Sequence, residues 1–179
     1  MTLTGRVVPV TGANSVARGA GEDAPGTLQA IYLTPTAAAP MQAVEEACAV
    51  AGRGLEGDRY FTGSGAYSAT PGTGRQLTII DQAALVAVER DHGVRLAPGA
   101  TRRNLVTRGV DLNSLVGRRF WIGEVLCEGM RPCPPCDYLE RLTQPGVMRA
   151  LVDRGGLRVD IRQGGTLRVG DRVRLAEGS

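Results

Sequence analysis

The sequence predicts a mainly β protein, barrel-like, with a few peripheral α-helices. Short β-type runs recur along the chain, glycines and prolines break them at turn spacing, and only one stretch has a clear helical period. The length of 179 residues suits a single domain with a real core. No internal repeat and no linker divides it.

Residues 1–25 are rich in Gly, Ala and Ser without a period and read as a flexible lead-in; residues 26–179 read as one domain. "TLQAIYL" (27–33) is a β-type run, ended by the prolines of "TPTAAAP". Residues 41–60 are ambiguous, but Gly52, Gly54 and Gly57 argue against a helix across their second half. Residues 63–74 are a loop by composition. "RQLTIID" (75–81) alternates as a strand does and runs into "DQAALVAVERDHG" (81–93). There Asp81 is placed to cap a helix, Leu85 and Val88 share a face, and Gly93 stands where the helix stops. Residues 102–110 and 115–129 return to β character. "DYLERL" and 145–156 read as helical, the second opened by Pro145 and closed by a glycine pair. Residues 157–175 read as strand, turn, short strand, turn, strand.

The formal net charge of +3 is too small to argue for nucleic acid. No apolar run approaches the ~20 residues of a spanning helix, and the N-terminus has no apolar signal-peptide core. The expectation is a cytoplasmic protein with neither membrane nor nucleic-acid partner. All 21 basic side chains are arginine. Without lysine, no Schiff base with pyridoxal phosphate and no Walker-type phosphate loop can form. What remains are permanently charged forks suited to phosphate or carboxylate.

In a reducing compartment Cys48, Cys127, Cys133 and Cys136 are expected as thiols. Cys48 and Cys127 sit in segments that read as apolar packing. Cys133 and Cys136, in "RPCPPCDYL", allow several readings. Structural zinc usually needs two such pairs, and there is one. A thioredoxin-like pair needs a βαβ setting that is missing. A single reactive thiolate fits Cys136 better than Cys133: Arg131 lies nearby, and a helix starting at Asp137 puts Cys136 beside its positive end. Such a thiolate suits sulfur transfer or ligation of a soft metal. A structural cysteine in a proline-rich turn stays open beside these. Asp58 and Asp171 read as turn residues, and His92 as a solvent-facing helix end.

"GRGLEGDRY" (52–60), "RQLTIID" (75–81), "RRNLVTRGVDLNSLVGRRFWIGEVL" (102–126), "PCPPCDYL" (132–139) and "GTLRVGDRV" (165–173), in that order, resemble the MOSC family. These domains occur at the C-terminus of molybdenum cofactor sulfurases and as stand-alone bacterial proteins. The resemblance implies a MOSC-type β-barrel, with Cys136 as the functional cysteine and metal ligand and Cys133 as a bystander. It puts Arg102 and Asn104, with Thr73 and Arg75 of the preceding loop, near a molybdenum cofactor (molybdopterin). Arg131 joins them from the charge argument. Many members carry histidine where this chain has Tyr60, so any proton-transfer role there is unsupported.

Three functions follow from the resemblance. One is a carrier that takes sulfur or cofactor on Cys136 and exchanges it with a donor protein. Another is a molybdoenzyme reducing N-hydroxylated compounds; with no iron–sulfur motif in the chain, it would need a separate electron-transfer protein. The last is a cofactor-free interaction domain. The sulfurase activity itself belongs to a pyridoxal-phosphate domain that a lysine-free chain cannot replace.

Overall fold

A computed structural model describes residues 26–70 and 72–178, so the lead-in read at 1–25 lies outside the described residues. Seven strands close into a barrel. Round the ring they run β1 (Gly26–Leu33), β11 (Arg172–Leu175), β7 (Arg119–Ile122), β8 (Val125–Pro132), β9 (Leu157–Gln163), β5 (Leu77–Asp81), β6 (Leu105–Arg108) and back to β1. The short β2 (Gln42–Val44) adds to β1, and β10 (Gly165–Arg168), β3 (Glu46–Val50) and β4 (Gly54–Leu55) form a small second sheet. Among the described strands only β5 and β6 pair in parallel. The chain between them must cross over, and α1 (Gln82–His92) makes that crossing.

β5 is buried along its whole length. One face fills the barrel with Leu77 and Ile79. The other meets a second core in which Ile80 and Val106 pack against Leu85 and Val88 of α1 and against α2 (Asp137–Leu142) and α3 (Val147–Ala150). Buried on both faces, the strand is mostly apolar, and its two polar side chains, Thr78 and Asp81, are hydrogen-bonded to Asn104 and Thr107. α1 begins and ends as the sequence indicates. Asp81 accepts the Ala83 N–H at 2.9 Å, and Gly93 closes the helix in the left-handed region at φ 66°. The Asp81 carboxylate also accepts from the Thr107 hydroxyl and the Val110 N–H, tying helix to barrel.

Two expectations change. The helix read over 145–156 is one turn, Val147–Ala150: Gly146 takes a left-handed φ of 91° before it, Leu151 leaves helical geometry at its end, and Asp153 turns left-handed at φ 60° further on. Cys48 is exposed: on β3 the strand period points Ala47 and Ala49 inward and Cys48 out. Cys127 is buried, and burial pushes its thiol up to about 12.

Candidate functional site: an arginine-lined cavity beside the cysteine loop

The chain leaves β8 at Pro132, runs through Cys133, Pro134 and Pro135, and enters α2 with Cys136 at its N-cap position. No turn or bend interrupts 133–136, as expected when two consecutive prolines hold the preceding residues extended. Three residues at the ~3.1 Å rise of that conformation separate the two cysteines by about 9 Å, beyond the ~7 Å limit for a disulfide. The loop is fastened from behind. The Cys133 N–H donates to Gly156 at 2.7 Å. The buried Arg103 donates Nε to Gly155 O at 2.8 Å, Nη1 to Thr101 O at 3.2 Å and Nη2 to Cys133 O at 3.0 Å. A side chain at Gly155 would collide with the Cys133 carbonyl, so glycine is needed for this approach.

In front of the loop lies a cavity of about 320 Å³, within the ~300–1,000 Å³ range of small-molecule sites. Six arginines line it (Arg59, Arg75, Arg102, Arg103, Arg131 and Arg158), and none of the described residues lining it is a carboxylate. Arg59 is neutralised from behind by the buried Asp58 at 3.1 Å. Arg102, at a left-handed φ of 59°, donates to the carbonyls of Ala37 and Ala39, and burial followed by the charge of Arg59 lowers its pKa. Burial, then Arg158, and then Arg75 hold Arg131 below the ordinary guanidinium value, set partly against the nearby Cys133. The Nε atoms of Arg75 and Arg158 are buried without a hydrogen-bond partner.

Arg75 Nη1 donates to the Tyr67 carbonyl at 2.7 Å, and the Tyr67 hydroxyl donates to Cys136 Sγ at a long 3.9 Å. That hydrogen bond, with the neighbouring Cys136 charge and then burial, raises the phenol above its ordinary value. Tyr138 closes another side, its hydroxyl donating to Ala37 O at 3.1 Å.

Of the residues singled out in the sequence, Cys136, Arg75, Arg102 and Arg131 line this cavity, and so does Cys133, the expected bystander. Asn104 is buried behind it as a latch: its Oδ1 accepts the Thr78 N–H and hydroxyl, and its Nδ2 donates to Tyr32 O and Asp58. Thr73 is exposed and is not among the lining residues. Asp58, read as a turn residue, is a buried hub accepting from the backbone of Thr34 and Tyr60 as well as from Arg59 and Asn104. Tyr60 lies at the wall, its ring under the Arg59 guanidinium at 5.0 Å. His92 is exposed at the end of α1. Among the described residues no three His, Cys, Asp or Glu side chains converge as metal ligands.

Arg59, Arg103, Arg158 and Tyr67 escaped the sequence reading. Arg59 and Arg103 stand inside motifs quoted for other residues, and that adjacency was the available signal. Access separates the cysteines: Cys133 is 1% exposed, whereas Cys136 is half-buried at the cavity. Iodoacetamide on the native protein is expected to label Cys136 and the exposed Cys48, and to reach Cys133 and Cys127 only after unfolding. Peptide mapping by mass spectrometry reads this; native labelling of Cys133 at the rate of Cys136 would contradict it.

Among the described residues no helix is long and apolar enough to cross a membrane. No curated protein matches the chain significantly in sequence. Among solved structures, the YuaD protein of Bacillus subtilis superposes with a TM-score of 0.71 at 18% identity, covering 84% of this chain and 94% of that one. YiiM of Geobacillus stearothermophilus gives 0.66 at 16% identity, covering 86% and 76%. YiiM of Escherichia coli gives 0.62 at 19%, covering 86% and 71%. These similarities establish the barrel. The model of the MOSC domain family matches residues 66–174. That span holds the cysteine loop and more than half of the chain, and the chain therefore belongs to the MOSC domain family.

Proposed function

We propose that this protein binds molybdenum cofactor in the arginine-lined cavity, with Cys136 as its soft metal ligand or sulfur acceptor. Membership of the MOSC family fits a molybdenum-cofactor-related role in general. The observation that carries the finer reading is the pair of buried, partnerless Nε atoms on Arg75 and Arg158, in a cavity lined by six arginines and, among the described residues, no carboxylate. A buried charged donor without an acceptor is costly, and an anionic ligand relieves it. The residues present thus fit a group that brings a phosphate.

When bound, the cofactor supplies a soft metal–sulfur centre able to exchange sulfur or electrons. The chain's own contributions are separate. Arg75, Arg131 and Arg158 attract and orient the anion, each charge-assisted bond contributing about 1.5–3 kcal/mol. Arg103 holds the cysteine loop, and Arg102 holds the Ala37–Ala39 backbone at the opposite wall. Tyr67 directs its hydroxyl at the Cys136 sulfur. In a sulfur-carrier role the Cys136 thiolate attacks the terminal sulfur of a donor protein's persulfide. The sulfur–sulfur bond of the donor breaks, its thiolate leaves, and the persulfide now sits on Cys136.

Protein purified from a host that makes molybdenum cofactor is expected to carry close to one molybdenum per chain by elemental analysis. Zinc near one equivalent in its place, or no molybdenum, would sink the proposal.

A further inference from the structure

Thr78, Arg158 and Arg131 lie side by side across β5, β9 and β8: Thr78 is registered opposite Arg158, and Arg158 opposite Arg131. The second pairing exists only because the register of β8 against β9 shifts between Gly129 and Arg131. One extra residue, Met130, enters β8 there, and Arg131 instead of Met130 becomes the partner of Arg158. Bulges of this kind re-aim side chains and cluster next to functional sites. The result is two guanidiniums directly opposite on neighbouring strands, a destabilising arrangement. Arg75, just before β5, brings a third charge to the same wall.

Some arginines elsewhere are neutralised by carboxylates, Arg162 on the same strand among them. Further along β9, Arg162 meets Glu128 at 2.8 Å, and Arg119 meets the same carboxylate at 3.2 Å. Arg154 reaches Asp91 at 2.9 Å. Arg75, Arg131 and Arg158 have no such ion pair among the described residues, and two of them keep a buried Nε without an acceptor. Three guanidiniums converging from two strands and a loop exceed what a carboxylate, which fills one fork, can satisfy. A phosphate monoester, with three terminal oxygens and close to two negative charges, matches them.

We infer that Arg75, Arg131 and Arg158 form a phosphate-monoester subsite on the β5–β9–β8 wall, built by the Met130 bulge. The biological ligand rests on the cofactor reading above, but the subsite's chemistry is the same whether the phosphate is free or esterified.

The test is calorimetric titration of the full chain, purified from a host without the cofactor pathway, with phenyl phosphate, inorganic phosphate and benzoate. Phenyl phosphate is expected to bind at least about tenfold more tightly than benzoate. Arg158→Met and Arg131→Met are each expected to weaken it at least about tenfold, the loss of one charge-assisted contact. Arg162→Met, the neutralised neighbour on β9, is expected to leave binding unchanged. Without phosphate, Arg131→Met should melt at or above wild type, because it relieves a like-charge pair. Phenyl phosphate binding better than inorganic phosphate assigns an ester ligand, and the reverse assigns free phosphate; either supports the subsite. No phosphate binding by wild type, benzoate binding equally well, or undiminished binding in both methionine variants would overturn it. Phosphate binding without molybdenum in the cofactor-producing host removes the cofactor reading and leaves the subsite. Molybdenum retained equally by Arg158→Met removes the subsite and leaves the reading.

Discussion

Cys136→Ala is expected to abolish molybdenum retention and cyanide-labile sulfur while costing less than about 1 kcal/mol of stability, because its side chain is only partly buried against the second core. Cys133→Ala should do the opposite. Its side chain is 1% exposed, so truncation leaves a small cavity and costs about 1 kcal/mol, with function near that of wild type. The two cysteines are three residues apart and both border the cavity, yet Cys136 is half-buried whereas Cys133 is 1% exposed, on a loop whose Cys133 carbonyl is held by Arg103. Urea denaturation and elemental analysis on the same two variants read both halves. A dithiol mechanism predicts equal functional loss in both, and that result would overturn the assignment. It would also require the extended 133–136 segment to rearrange, since its prolines keep the sulfurs apart.

Much of the barrel was legible because its signals are local. α1 carries both of its caps in sequence, Asp81 and Gly93, and the strands of 157–175 are cut at glycines where the chain turns. Closure of the ring was not legible. It depends on Gly26 pairing with Val173 and Thr27 with Arg172, near opposite ends of the described chain, and no local pattern encodes that register. The same division runs through the site. Cys136, Arg75, Arg102 and Arg131 stand in motifs that can be read one at a time. Arg158 sits in "LRVDIR" and looks like any strand arginine until the Met130 bulge sets it against Arg131. Asn104 was singled out as a cofactor contact, whereas the fold surrounds it with Thr78, Tyr32 and Asp58. A residue's donors and acceptors can be listed from sequence, but who fills them cannot.

Arg103→Met is expected to lower stability by roughly 3–5 kcal/mol, the range for breaking a buried charged network. This guanidinium is buried, and no carboxylate answers its charge in the contacts it makes. Its work is to satisfy carbonyls from three separate segments: Thr101 before β6, Cys133 in the cysteine loop, and Gly155 before β9. Methionine fills much of the volume but donates nothing, leaving those carbonyls buried and unpaired at about 1–3 kcal/mol each. The melting midpoint should fall by about 10 °C, since each kcal/mol shifts a chain of this size by ~2–4 °C. Arg103→Lys should recover only a minor part, because a compact ammonium cannot span acceptors placed for a planar fork. Function should fall further than stability alone predicts: once the loop is released, Cys136 is no longer held at the cavity. The diagnostic is therefore Cys133. In Arg103→Lys, under conditions where the protein is still folded, Cys133 should become reactive to iodoacetamide, and molybdenum retention should fall in step. If Arg103→Met stays within about 1 kcal/mol of wild type and Cys133 remains protected, the loop is held by its prolines and its Gly156 bond alone, and Arg103 is only another wall of the cavity.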